Sequence, residues 1–508
     1  MGSGAGGGTL ANELCQQGIK TVVLEAGPHL TGEDYYNDEW QAFGQMSWGD
    51  PRSTSGSWRV HQDFPDLPAW IVKAVGGTTT HWAGACPRFK PHEFHARSTY
   101  GDIEGANLLD WPVTLEELEP YYDRAEIKMG VSHRHGRPPL PANNNYKVFA
   151  NGAERIGYRH CATGPYATNA EPYDGRPASV QDGFNFQGDK QGSKWSTLVA
   201  ELPKARDTGK LDLRPDSHVV QILHDSSGHV TGVVYTDRNG TLRRQRAGIV
   251  CVAGNSIETP RLLLLSRSAL FPEGLANSSG QVGRNYMSHT TGTVWGQFSK
   301  PVRMYRGETM AGVISDESRL DTDRGFVGGY YMETIALGPS FFTTFVAPGS
   351  WGPELAAYTE DYINTAGMWI VGEDLPRAGN RVTLNDEVVD QHGLPVANVH
   401  VDEHPNDLAM RAHAQRQGRA VYEAVEAKRT IETPPYPSTH NLGTCRMSER
   451  PSDGVVNRFG RAHDVPNLFI SDGSQFTTGA GANPTLTIVS LAIRQANYIA
   501  TEYRKDLS

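Results

Sequence analysis

Residues 1–27 read MGSGAGGGTLANELCQQGIKTVVLEAG, and Gly2, Gly4 and Gly7 fit the spacing G-x-G-x-x-G. The next stretch, TLANELCQQG, has the pattern of an amphipathic helix closed by Gly18. KTVVLEAG then has that of a buried strand with Glu25 at its end. Each part has a physical job. Gly2 makes a tight turn, Gly4 lets the backbone approach a pyrophosphate, and Gly7 lets helix and strand pack closely. The helix N-terminus offers free N–H groups and a positive dipole end to phosphates. Glu25 is placed to accept hydrogen bonds from an adenosine ribose. Loop, helix, strand and acid in this order predict a dinucleotide-binding α/β unit, although the loop alone does not choose between NAD and FAD.

Such a loop ordinarily follows a central strand of a parallel sheet, and here Met1 alone precedes it. An empty slot in a sheet leaves the backbone groups of both neighbours without partners. The expectation is therefore that the first strand of this domain is missing with a lost N-terminus. A chain starting at Met1 is expected to hold its dinucleotide weakly, because an unanchored terminus is usually disordered.

Composition limits the remaining possibilities. With 508 residues, 38% apolar and 20% charged, the chain is long enough for two or more cores. The net charge of −10 and the lack of a basic run argue against nucleic acid as a partner. No stretch approaches the ~20 apolar residues of a membrane span. Cys15, Cys86, Cys161, Cys251 and Cys445 are scattered, odd in number and without metal-ligand spacing, so neither a disulfide framework nor a metal site is expected. A cytoplasmic location is favoured, with the periplasm as the alternative if a leader left with the N-terminus.

Further along, TLEELEPYYDRAEIKMG within residues 114–132 carries a Thr cap and an apolar stripe, which predict a helix. Residues 165–193 are rich in Gly, Pro, Asn and Asp and predict a segment wandering over the surface. HVVQILHDSSGHVTGVVYTDRNGTLRRQRAGIVCVAG predicts a β-meander of three alternating strands with Gly turns. It feeds a second small-residue turn and helix, AGNSIETPRLLLLS. Residues 290–430 show little periodicity, consistent with a second domain built on a sheet.

GSGAGGGTLA with LEAG, GGTTTHWAG, AGNSIETPRLLLLS, GQVGRNYMSH, NRVTL and HNLGTCRM…NLFISDGSQFTTGAGANPTLTIVSLAIR together resemble the glucose–methanol–choline (GMC) oxidoreductases, nearly end to end and in family order. Within that family the resemblance is to the bacterial sugar and aldonate dehydrogenases, with pyranose oxidases as cousins. It implies FAD as cofactor and an α/β fold: a Rossmann-type FAD domain, discontinuous in sequence, beside a substrate domain on an antiparallel sheet. The divisions it suggests are 1–95, 206–295 and 433–508 for the FAD domain, the last with the catalytic pair. Residues 96–205 and 296–432 form the linker, lid and substrate domain.

By the same resemblance His440, in YPSTHNLGTCRM, matches the active-site histidine, and Asn483, in GANPTLTIV, matches the second, His-or-Asn position. A histidine suits removal of a hydroxyl proton, since its ordinary pKa lies near working pH. Asn483, Pro484 and Thr485 also have the pattern of an N-cap, a first helical proline and a buried helix. That helix start would point its positive end at a bound flavin. The resemblance further implies FAD contacts at Gly76, Gly77 and Thr78, at Val219 on the meander, and at Ala253, Asp472 and Gly473. His81 matches a histidine that pyranose oxidases bond covalently to the flavin, while dehydrogenase relatives carry His-Trp there without such a bond, so both readings stay open. His289 and His463 are expected to be structural or surface histidines. Where some dehydrogenase relatives carry iron–sulfur cysteines, this chain has Asp182, Asn185 and Asp189, and cluster irons want thiolates.

The function expected is FAD-dependent oxidation of a secondary hydroxyl of a sugar or glycoside to a ketone, with electrons passing to oxygen or a soluble acceptor. Aldonate or polyol dehydrogenation with a separate acceptor protein is the alternative, and a non-oxidative, lyase-like FAD protein is a second. An NAD-dependent dehydrogenase would rest on the glycine loop alone. A homo-oligomer is compatible with the sequence. The aromatics of residues 326–350 are expected either to line the substrate pocket or, for most of them, to fill a core.

Overall fold

The computed structural model describes residues 1–46, 51–64, 67–183 and 185–503. Helix Ala5–Gln16 leaves the glycine loop directly and returns through Gly18 into strand Thr21–Leu24. A side chain at Gly6 would run into the Ser471 carbonyl, and one at Gly7 into the Gly2 carbonyl. The glycines therefore bring the helix onto its neighbours at backbone distance.

Thr21–Leu24 pairs in parallel with Leu211–Arg214, and Val250–Val252 pairs in parallel with Leu468–Ile470. Met1 and Gly2 lie between these two pairs. The Met1 amino group donates to the Cys251 carbonyl at 2.8 Å. The Ala253 N–H donates to Met1 and the Gly2 N–H to Leu24, each at 2.8 Å. Helix Thr485–Thr501 joins Ala5–Gln16 over this layer, sealing Leu10, Leu14, Phe469, Ala492, Ala496 and Ile499 into one cluster. The meander forms from His218–His224, Val230–Thr236 and Leu242–Arg246. The chain then leaves it for the parallel layer at Val250.

The second half of the molecule is a six-stranded antiparallel sheet. Its order is Arg429–Thr433, Thr290–Gln297, Thr365–Gly372, Tyr330–Thr334, Val313–Ile314 and Cys161–Ala162. Thr290–Gln297 and Thr365–Gly372 are buried at every residue. Met368 and Ile370 join Met410 and Ala414 of helix Pro405–Glu423, while Trp369 and Val371 belong to a separate aromatic cluster. Successive side chains thus serve two covered faces. Strands covered on both sides lack polar–apolar alternation, which explains the weak periodicity of this region.

The helix expected within residues 114–132 is Leu115–Met129, capped by Thr114, whose hydroxyl accepts from Glu117 N–H at 3.4 Å, and ended by Gly130 in the left-handed region. Residues 165–193 do contain little regular structure, but they do not simply cover the surface. Tyr166, Ala167, Asn169, Arg176 and Gln187 are buried. The Arg176 guanidinium donates to the Ser193 and Met129 carbonyls at 3.2 and 3.0 Å. Backbone carbonyls likewise accept from the Asn169 amide, and such partners let Asn169 and Arg176 go inside.

Candidate active site

One cavity of about 830 Å³ runs between the two halves. Its walls include Gly2, Gly4, Glu25, Gly77, Thr78, Val219, Ala253, Asp472, Gly473, His440, Asn483, Pro484 and Thr485. Three expected residues stand behind the lining. Gly7 packs the first helix against Gly2 and Ala253. Gly76 holds a left-handed turn and donates its N–H to Ser3 Oγ at 2.9 Å. His81 is fully buried behind the wall, with ring nitrogens 2.8 Å from Thr80 Oγ1 and 3.0 Å from Gln45 Oε1. Burial, with Lys194 nearby, pushes its pKa down to about 3, so the ring is neutral.

At one end the protein's own donors fill the Asp472 carboxylate with four hydrogen bonds and engage Glu25 with three, which leaves Glu25 room for one more. Glu25 accepts from Ser3 N–H and Ser3 Oγ–H at 2.9 and 2.7 Å and from Gly27 N–H at 3.0 Å. Asp472 accepts from Asn255 N–H, Thr259 Oγ–H, Ser474 N–H and Ser474 Oγ–H at 2.5–2.9 Å. Ser3, which ties Glu25 to the loop at Gly76, carries no signal in the sequence beyond being an unspecified position of the glycine motif. A methyl group at Gly4 would meet only Gly77 Cα at 3.8 Å and the Gly76 carbonyl at 3.9 Å. The protein itself leaves that space open, at the N-terminus of Ala5–Gln16, where a phosphate is favoured.

The other end is built differently. His440 comes from the loop before strand Leu468–Ile470, and its ring lies 5.4 Å, centroid to centroid, from Trp369 on the antiparallel sheet. Burial, then His289, hold its pKa well below the ordinary imidazole value, which keeps the ring neutral. Asn483 does not cap the last helix. The helix begins at Thr485, and the Asn483 amide instead faces Glu333 Oε2 at 3.4 Å. Burial raises the Glu333 pKa to about 8. Asn483 Oδ1 and Glu333 Oε1 are buried without a hydrogen-bond partner.

His289, expected as a structural or surface histidine, is buried, and its Nδ1 lies 2.8 Å from His440 Nδ1. His463 is half-buried, 3.3 Å from Ser448 Oγ. The aromatics of 326–350 contribute nothing to the walls of the large cavity; Phe341, Phe342 and Phe345 fill a core with Trp295 and Trp369. Trp70, Phe186, Met310, Trp369 and Tyr436 line it instead. In the loop matched to cluster cysteines, Asp189 accepts from the N–H groups of Gln191, Gly192 and Lys194 and from Ser193 Oγ–H. It folds the loop rather than presenting a ligand atom.

Residues 54–291 and 376–492 match two sequence families, both described as GMC oxidoreductase. The chain is 35% identical to 2-methyl-1,2-propanediol dehydrogenase of Mycolicibacterium austroafricanum, over 99% of this chain and 95% of that protein. This chain belongs to the GMC oxidoreductase family. It is also 27% identical to the fructose dehydrogenase large subunit of Gluconobacter japonicus, over 99% and 98% of the two chains. An FAD-dependent oxidoreductase from Chaetomium thermophilum shares the fold, with a TM-score of 0.67 and 15% identity over 99% and 98% of the two chains. A GMC oxidoreductase takes FAD, and the open cradle at Gly4 beside Glu25 fits a dinucleotide phosphate and ribose.

Proposed function

We propose that the chain oxidises the CH–OH group of an alcohol with a carbon-rich face, using FAD held noncovalently along the cavity. The observation that carries this reading is the continuity of the cavity from Glu25 and Val219 to His440 and Asn483. Gly2, Gly4, Gly77 and the start of helix Ala5–Gln16 would hold the phosphates, Glu25 the ribose, and Val219 the adenine end. Ala253, Asp472 and Gly473 would touch the cofactor through backbone, since the Asp472 carboxylate is already filled. When bound, FAD supplies the two-electron acceptor for the hydride of the alcohol carbon. His440 takes the hydroxyl proton, and the unpartnered Asn483 Oδ1 offers a hydrogen bond that orients the substrate. The start of Thr485–Thr501 directs its positive end into the same region.

Trp70, Phe186, Trp369 and Tyr436 give the reaction end aromatic walls, which favour a small alcohol or diol with an apolar body. The 35% identical relative named for a diol points the same way. A sugar or glycoside is the second reading, because aromatic faces also stack on the C–H face of a sugar ring and a fructose dehydrogenase is among the relatives. Anaerobic mixing with 2-methyl-1,2-propanediol, other short diols, fructose, glycosides and aldonates, followed by flavin absorbance, separates them. Bleaching by none of these compounds defeats the reading. Acid precipitation should leave the yellow colour in the supernatant, since His81 is turned into the Thr80–Gln45 contacts. Colour retained in the pellet, with a matching mass increase, would show a covalent bond.

A further inference from the structure

We infer that His289 is a positioning residue that locks His440 in the tautomer with a proton on Nδ1 and a bare Nε2. The inference rests on the reading of His440 as the base. It follows from hydrogen-bond inventory. His289 Nε2 lies 3.1 Å from the Gly479 carbonyl, which can only accept. A neutral His289 therefore carries its proton on Nε2, and its Nδ1 must accept. His440 Nδ1, 2.8 Å away with the two rings edge-on at 89°, must then donate. In a neutral His440 this leaves Nε2 with its lone pair, and among the described residues no protein group bonds to it. A base needs that lone pair, and a free histidine would distribute its proton between both nitrogens.

The surroundings hold His289 in place. Its backbone sits at φ 65°, a conformation uncommon for a non-glycine residue. Met287 and Leu442 exchange two backbone hydrogen bonds at 3.1 and 2.9 Å, tying the two histidine segments together. Ser288 N–H donates to Asp374 Oδ2 at 2.7 Å. An added methyl at Gly479 would stand 3.1 Å from His289 Nε2, so the loop leading to Asn483 is also shaped around this ring. One histidine thus registers both reaction-end loops.

The test uses FAD-loaded enzyme labelled with ¹⁵N-histidine, with the His440 signals assigned by their loss in His440→Asn. The expected wild-type spectrum shows protonated Nδ1 and bare Nε2. His289→Leu should shift the proton toward Nε2 and slow flavin reduction, by whichever panel alcohol bleaches the wild type, on the order of 10²–10⁴-fold. His289→Asn tolerates the left-handed backbone and still offers an acceptor, so it should keep both the tautomer and a rate within about 10-fold of wild type. A wild-type His440 protonated on Nε2, or wild-type rates in His289→Leu, would overturn the inference. If His289→Leu does not fold, the wild-type spectrum and His289→Asn decide. Loss of activity in His440→Ala with normal His289→Leu removes this inference alone, whereas an active His440→Ala removes the base assignment beneath it.

Discussion

The two ends of the cavity treat their polar groups in opposite ways. At the nucleotide end, Glu25 and Asp472 have their oxygens satisfied by backbone and hydroxyl donors. At the reaction end, Asn483 Oδ1, Glu333 Oε1 and Asp374 Oδ1 are buried without partners. A buried polar atom left unpaired costs roughly 1–3 kcal/mol. Of the three, only Asn483 lines the cavity, where a substrate can supply the missing bond. The difference teaches that the first end is preorganised for a constant ligand, and the second keeps unspent hydrogen-bonding capacity for a variable one.

The largest expected effect lies at the reaction end. His440→Ala should retain FAD while flavin reduction falls by roughly 10²–10⁴-fold, the usual cost of removing a base. Stopped-flow absorbance under anaerobic conditions measures it, and a near-normal rate would erase the contrast between the ends.

Two neighbouring glycines sharpen the comparison further. Gly7→Ala drives a methyl into the Gly2 carbonyl and should cost roughly 1–3 kcal/mol, read as lower Tm and soluble yield. Gly4→Ala fits the protein, with its nearest neighbour at 3.8 Å, and should leave the fold intact while lowering the flavin-to-protein absorbance ratio. Normal flavin loading in Gly4→Ala would show that the open cradle is not a phosphate site.

Glu25→Ala removes three hydrogen bonds that order the glycine loop, besides any to the ribose. FAD affinity should drop by about 1–3 kcal/mol, or roughly 5–150-fold, measured by flavin retention after dialysis. The chemistry of whatever flavin stays bound should be unaffected, in contrast to His440→Ala.

The last expected effect concerns pH. Glu333 titrates near 8 in the folded protein, against an ordinary value of 4.5. Below about 4.5 both folded and unfolded forms are protonated. As pH rises from about 4.5 toward 8, only the unfolded form releases its proton, so this residue withdraws stability over that window. Glu333→Gln mimics the protonated group and should show a smaller fall in Tm between pH 5 and 8 than the wild type. Parallel Tm curves for the two proteins would mean that Glu333 is ionised in the fold.

Much of the nucleotide end was legible in the sequence because its parts are consecutive. Gly2, Gly4, Gly7, helix Ala5–Gln16, strand Thr21–Leu24 and Glu25 follow one another within 25 residues. Local backbone geometry makes each glycine recognisable by spacing. Even there Ser3 was invisible, since the Gly76 N–H that it accepts lies 73 positions along the chain. At the reaction end His440 and Asn483 were found only through the resemblance, and Asn483 was misread as a cap because Asn-Pro-Thr has a capping pattern. The Asn483 amide meets Glu333 of strand Tyr330–Thr334 instead.

The sequence by itself determined the elements whose signals are local: the glycine loop with its helix and strand, the meander, the capped helix Leu115–Met129, and membership of an oxidoreductase family. Only the tertiary structure decided which histidine supports which. His289 and His440 are 151 positions apart, and nothing in the residues around either one encodes a 2.8 Å contact. It also sent the aromatics of 326–350 to the core, the reading favoured for most of them, and set Trp70, Phe186, Met310, Trp369 and Tyr436 at the cavity wall. The physical reason is the same in both cases. Helix and strand signals arise from neighbours along the chain, whereas a buried site is made where two layers meet, and burial there falls on side chains whose separation in sequence carries no information about their distance in space.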